Sequence, residues 1–306
     1  VTATSRETEL RVPLLPAAAF VVVWSSGYIA GPAGVDAIDP FTVLTLRFVV
    51  AALMLWPVAR VLRGPLRITR EDLVRVTVSG LLFNALLFGL MYLAFERGLT
   101  ATLGSLLHSL SPVLTAVLAG VFLHERLARW QVIGFAAGVG GVVLVLGPDV
   151  SEAGGVLAML LGVASLLCLS LGTLGQRWIS PHTDPIWSAT LQCAVSVPPL
   201  AVLALTIEGV HGVHHPVQGT IAVLWLAGVN SVLGLLLIGT LVRRGGAGAS
   251  ASVFFLMPPV TAVMAFVCLG DTLGVRELVG LAVSVAGVAV ATRARPGPLT
   301  EGEAVA

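Results

Sequence analysis

Ser111–Glu125, SPVLTAVLAGVFLHE, is an apolar stretch with a proline near its start and an acid at its end. It returns 146 residues later as Met257–Asp271, MPPVTAVMAFVCLGD, so that Pro112 maps to Pro258, Thr115 to Thr261 and Glu125 to Asp271. The register continues from Gly134 to Gly280 and from Gly141 to Gly287, and 13 of the 34 positions from 112 to 145 are identical. A background rich in Val, Ala and Leu raises such a count. It does not put a Pro, a Thr, two Gly and an acid in one register. The chain reads as a duplication.

Composition sets the class. Of 306 residues, 57% are hydrophobic and 11% charged, against about 25% charged in ordinary soluble domains. All 17 basic residues are Arg, which reads as a lineage bias, and the net charge of +1 leaves no footprint for nucleic acid. Cys168, Cys193 and Cys268 fall in apolar runs without a CxxC or a suitably spaced His, so they read as small buried hydrophobes, with no disulfide or metal implied. Arg6 and Arg11 before the run from Leu14 mimic a signal peptide, but the run is long and carries Trp24, Ser25 and Gly27. It reads as a retained first helix.

A spanning helix needs about 20 mostly apolar residues. Ten such segments are predicted, at 14–34, 41–62, 73–95, 100–123, 131–147, 154–179, 186–207, 219–242, 248–270 and 277–293. Backbone groups in lipid must bond within their own segment, and the alternation of a β-barrel is missing. The expected class is an all-α integral membrane protein of ten helices. Its layout is a cytoplasmic segment 1–13, a first repeat 14–147, a second repeat 153–293 and a disordered cytoplasmic tail 294–306. Five helices per repeat is an odd number, so the second copy enters the membrane the other way up.

Arginines fix the orientation. With the N-terminus in the cytoplasm, 14 Arg fall inside (6, 11, 60, 63, 67, 70, 75, 126, 129, 177, 243, 244, 293 and 295) and only Arg97 and Arg276 outside. Thr69 can cap the lead-in to the third helix. In the outer loop, His211, His214 and His215 suggest a metal, but a solvated loop without a scaffold is the favoured reading.

No Walker A loop and no HExxH occurs, so neither ATP-driven pumping nor zinc hydrolysis is indicated, and no cofactor is expected. Polar groups inside the membrane are costly and become the candidates. Asn84 and Asn230 lie 146 apart at one repeat position, and can either line a central cavity or bond neighbouring helices. Arg47, in TLRF after Pro40, has Gln192 as its counterpart, in TLQC after Pro185. Arg47 can snorkel as an anchor or bind a substrate carboxylate. Pro112 and Pro258 break their helices at related positions, a pointer to a transporter's binding region. Ahead of Pro112 stand His108, a satisfied interior histidine or a proton carrier, and Ser111. Trp24, Ser25 and Tyr28 mark the middle of the first helix, where cavity lining is plausible, with Tyr92 and Gln176 as weaker candidates. Glu96, Glu125 and Asp271 end helices and are candidates for coupling or conformational change. Gly134, Gly138 and Gly141, with Gly280, Ser284 and Gly287, form small faces on the fifth and tenth helices for internal packing or a homodimer contact.

These features resemble the drug/metabolite transporter superfamily, and within it the EamA-type ten-helix exporters. The resemblance rests on Trp24-Ser25, Leu46-Arg47-Phe48, Pro112 through Glu125-Arg126-Leu127, Gln131 with Gly134, Pro258 through Asp271, and Gly280. Asp271 departs from the usual Glu but keeps a carboxylate. The resemblance implies export of small metabolites, such as amino acids or drugs, across a bacterial inner membrane. It also implies a central cavity among helices 1–4 and 6–9, with 5 and 10 outside. The leading expectation is a secondary transporter with no enzymatic activity, whose partners are a small-molecule substrate and the bilayer. The alternative is a membrane-embedded lipid-handling protein or enzyme on the same scaffold, but that would need a catalytic cluster near one interface.

Overall fold

The computed structural model describes residues 14–123, 129–147, 154–179, 183–234, 237, 256–270 and 274–293. We name the helices α1 (Leu14–Ala37), α2 (Pro40–Arg63), α3 (Arg70–Glu96), α4 (Ala101–Ser109), α5 (Ser111–Leu123) and α6 (Arg129–Leu146). Five follow: α7 (Gly155–Ile179), α8 (Pro185–Glu208), α9 (Pro216–Leu233), α10 (Met257–Leu269) and α11 (Val275–Arg293). Among the described residues, seven helical stretches are long and apolar enough to cross a membrane, and two shorter apolar helices accompany them.

The interior is mostly apolar with small hydroxyls set into it, and large apolar side chains also cover the outside, as a bilayer solvent allows. Leu53, Leu205, Val143 and Phe266 face outward, while Ser25, Ser165, Ser170, Thr190 and Ser196 are buried. Of the cysteines, Cys193 is buried, Cys168 is half-buried and Cys268 is exposed. The expectation of three buried thiols therefore holds fully only for Cys193, because an apolar segment here also turns side chains toward lipid.

Local sequence sets the helix ends. Thr69 accepts from Asp72 N at 3.1 Å and caps α3, as its position predicts. Helices α2 and α8 repeat one another's geometry. Each follows an Asp and opens on a Pro, Pro40 or Pro185. In each, a Thr bonds back one turn, Thr45 to Phe41 O at 2.7 Å and Thr190 to Ile186 O at 2.8 Å. Each stops at a glycine of positive φ, Gly64 at 76° and Gly209 at 75°, which a residue bearing a Cβ adopts only with strain.

The two helices run antiparallel and are tied at both ends. At one end the Glu208 carboxylate accepts from Phe41 N at 2.6 Å and Thr42 N at 2.8 Å, capping a helix that is not its own. At the other, Arg63 pairs with Asp184 at 3.0 Å. The loop after α8 is clipped to the α1–α2 corner, with Asp39 N on Gly212 O at 2.8 Å and His214 Nε2 on Asp39 at 2.8 Å.

The predicted 100–123 segment is not one helix. It breaks at Leu110, directly before the Ser111-Pro112 start of α5, since Pro112 supplies no N–H to the turn before it. Pro258 likewise sits in the first turn of α10. The small faces of α6 and α11 meet within the chain. A Cβ on Gly280 would lie 2.7 Å from Gly141 O, and one on Gly287 2.7 Å from Gly134 O.

Candidate functional site

Asn84, Phe88 and Tyr92 recur every four residues along α3 and form one stripe. The stripe starts in a widened, π-helical turn, Leu81–Leu86. A second widened turn, Trp225–Leu233 in α9, contains Asn230. Such turns release backbone groups from the regular ladder and gather at functional sites.

Arg47 reaches this stripe from α2 and is 3% exposed. Its guanidinium lies 4.1 Å from the Phe88 ring centre and 5.3 Å from that of Phe48. Nη1 donates to the Tyr92 hydroxyl at 3.2 Å, and Nε donates to Ser231 Oγ at 3.3 Å. Ser231 in turn donates to Leu226 O, inside the widened turn of α9, at 3.0 Å. The guanidinium is thus enclosed between α2, α3 and α9. Among the described residues no carboxylate pairs with it, and Nη2 makes no hydrogen bond. Cation–π contacts offset part of the cost of burying the charge. The side-chain amide of Asn84, 9% exposed, has no partner among the described residues.

Tyr28, His108 and Ser165 form a second chain of contacts. Ser165 Oγ donates its only hydrogen to Leu87 O at 2.9 Å, so it accepts from His108 Nε2 at 2.9 Å. His108 Nδ1 is then the acceptor for the Tyr28 hydroxyl at 2.9 Å. Both ring nitrogens are satisfied in the neutral form.

The remaining candidates join helices. Asn230 Nδ2 donates to Val23 O at 2.6 Å. Trp225 Nε1 donates to Ser26 Oγ at 2.9 Å, and Ser26 also bonds Val23 O. Gln176 and Gln192 exchange amide hydrogen bonds at 2.7 and 3.2 Å, and Gln192 Nε2 also donates to Ser188 Oγ at 2.9 Å. Ser25 donates to Met257 O at 3.3 Å, and Ser111 Oγ accepts from Ser170 Oγ at 3.3 Å. Trp24 packs against Phe20 with the rings tilted and their centres 5.5 Å apart. Glu96 is exposed at the end of α3 beside Arg97, 3.9 Å away. Glu125 and Asp271 lie outside the described residues. Among the described residues no group of three His, Cys, Asp or Glu is placed to hold a metal.

Sequence reasoning missed Phe88, Ser231 and Ser165. The four-residue spacing of Asn84, Phe88 and Tyr92 could have found the first. Nothing in the local sequence marks the two serines.

Comparison with known proteins follows the same lines. The model of the EamA-like transporter family matches residues 13–147 and again 156–293. An uncharacterized transporter of Bacillus subtilis, YyaM, is 30% identical over 73% of this chain and 74% of its own. A probable terminal-alkyne amino-acid exporter of Streptantibioticus cattleyicolor is 29% identical over 89% and 91%. A probable amino-acid metabolite efflux pump of Salmonella typhimurium is 26% identical over 88% and 90%. A solved crystal structure, 18% identical with a TM-score of 0.67, shares the fold over 91% of this chain and 97% of that one.

Proposed function

Because this chain belongs to the EamA-like transporter family, we propose that it is a secondary transporter that exports small metabolites, amino acids or drug-like compounds, from a bacterial cell. In this reading ten helices form two five-helix repeats of opposite orientation in the inner membrane, with both termini cytoplasmic. The repeats rock around a cavity at mid-depth, and substrate is exposed to each side in turn. The observation that carries the reading is the pair of widened turns. They hold Asn84 and Asn230, 146 residues apart, the first in the middle of α3 and the second in the last stretch of α9, whereas a third widened turn, Ala204–Glu208, closes α8 and holds no repeat-related amide. The exporters and efflux pumps among the relatives support the direction and the amino-acid class. A homodimer, if formed through α6 and α11, uses their outer faces (Val132, Ile133, Val139 and Val143 among them), since their small faces meet within the chain.

The test is reconstitution. Purified protein in liposomes preloaded with phenylalanine should exchange it for external labelled phenylalanine without ATP, and reporters on both termini should face the cytoplasm. Failure to exchange any of a panel of amino acids and drug-like cations, or termini on opposite faces, contradicts the reading.

A further inference from the structure

We propose that Arg47, with Tyr92 beside it, is the recognition site for a single carboxylate on a substrate with an apolar body, and that the site does not read an amine. The proposal rests on the transporter reading above and names the class of substrate that its interior takes.

On Arg47 and on Tyr92, which it bonds, the uncommitted hydrogens are donors, while the Asn84 amide further along the stripe offers both a donor and an acceptor. Among the described residues Nη2 keeps both hydrogens free, and the Tyr92 hydroxyl, which accepts from Nη1 at 3.2 Å, keeps its own. Ser231 is closed off, since its hydrogen goes to Leu226 O. Converging donors in a site of low dielectric select a ligand that only accepts, and a planar guanidinium fork matches a planar carboxylate. One guanidinium balances one charge. A phosphate dianion or a dicarboxylate would bring a second negative charge into the same interior without compensation. Phe88 at 4.1 Å and Phe48 at 5.3 Å hold the cation, and Phe88, which is only partly buried, is the ring left to meet the ligand's body.

The acids decide the second half of the proposal. Among the described residues Asp36, Asp39, Glu71, Asp72, Glu96, Asp184, Glu208 and Glu277 all sit at helix ends or in connections, away from the middle of any long helix. None of these carboxylates stands beside Arg47 to hold a ligand's ammonium. An α-amino acid and its desamino analogue therefore gain the same recognition, and the analogue avoids desolvating an ammonium.

Three probes that share one aromatic body separate the groups: phenylalanine carries both, 3-phenylpropionate only the carboxylate and phenethylamine only the amine. Each is titrated against the purified full chain in detergent, with thermal protection as the readout. The expected result is protection by 3-phenylpropionate at least as strong as by phenylalanine, and none by phenethylamine. Arg47→Gln should weaken protection by 3-phenylpropionate by about tenfold or more, and Tyr92→Phe, which keeps the guanidinium, by a few-fold. Unliganded melting of Arg47→Gln controls for folding, and if that variant does not fold, Tyr92→Phe and the probe order decide alone. Protection by phenethylamine equal to that by 3-phenylpropionate, no protection by 3-phenylpropionate, or full protection in both variants overturns the proposal. Liposome exchange separates this failure from that of the transport reading. Amines or neutral solutes moving without carboxylate binding would leave transport standing, whereas carboxylate binding without exchange of any solute would do the reverse.

Discussion

The two halves of the chain place polar groups at the same repeat positions and satisfy them to different extents. In the first half the Asn84 amide has no partner among the described residues, and Arg47 keeps one nitrogen free. In the second half Asn230 is tied to Val23 O, and Gln192 is locked to Gln176 and Ser188. Duplication copied the scaffold, including the Pro starts, the Thr back-bonds and the Gly stops of α2 and α8. One copy's matched polar positions hold helices together, while in the other the Asn84 amide and one Arg47 nitrogen have no partner among the described residues. A repeated polar residue in a membrane protein therefore need not be bonded alike in both copies.

Substitutions at matched positions sharpen that contrast. The largest expected effect is at Gly27, where an added Cβ would lie 2.5 Å from Asn230 Oδ1. Gly27→Ala should destabilise the protein by about 1–3 kcal/mol, measured by denaturation in detergent, and Asn230→Ala on the same chain should recover part of the loss. Next is the pair Gln192 and Arg47. Gln192→Leu leaves the Gln176 amide inside without a partner and should cost about 1–2 kcal/mol. Arg47→Gln removes a buried charge that no described acid pairs with, so unliganded stability should stay within about 1 kcal/mol of the parent or rise. The smallest effects are expected at the tied ends of α2 and α8. Glu208→Ala strips two backbone donors of their acceptor and should cost about 1 kcal/mol. At the matching position Arg63→Ala breaks a partly exposed ion pair and should cost about 0.2–0.5 kcal/mol.

Sequence alone carried the fold a long way. Hydropathy placed the helices of the first half within about three residues of their observed ends, because an apolar run in lipid has one backbone solution. The break at Leu110 followed from Pro112, and the cap at Thr69 from its spacing to Asp72. The site was less legible. Arg47, Asn84 and Tyr92 could be named, because polar residues within spans are rare. Which of the two Asn is bound could not be read, since that depends on Val23 O arriving from another helix. The same holds for Ser231 and Ser165, ordinary serines until α9 and α7 bring them to Arg47 and His108. The clip between Glu208 and the start of α2 joins residues 166 apart in sequence, and no local pattern announces it.

The most direct test measures flux and melting together on Asn84→Ala and Asn230→Ala. The account predicts a crossed result. Asn84→Ala should keep the parent's melting midpoint and lose about two- to tenfold in liposome exchange. Asn230→Ala should lose about 0.6–1.7 kcal/mol of stability and retain exchange per folded molecule. Equal losses of stability in both variants, or normal exchange in Asn84→Ala, would contradict it.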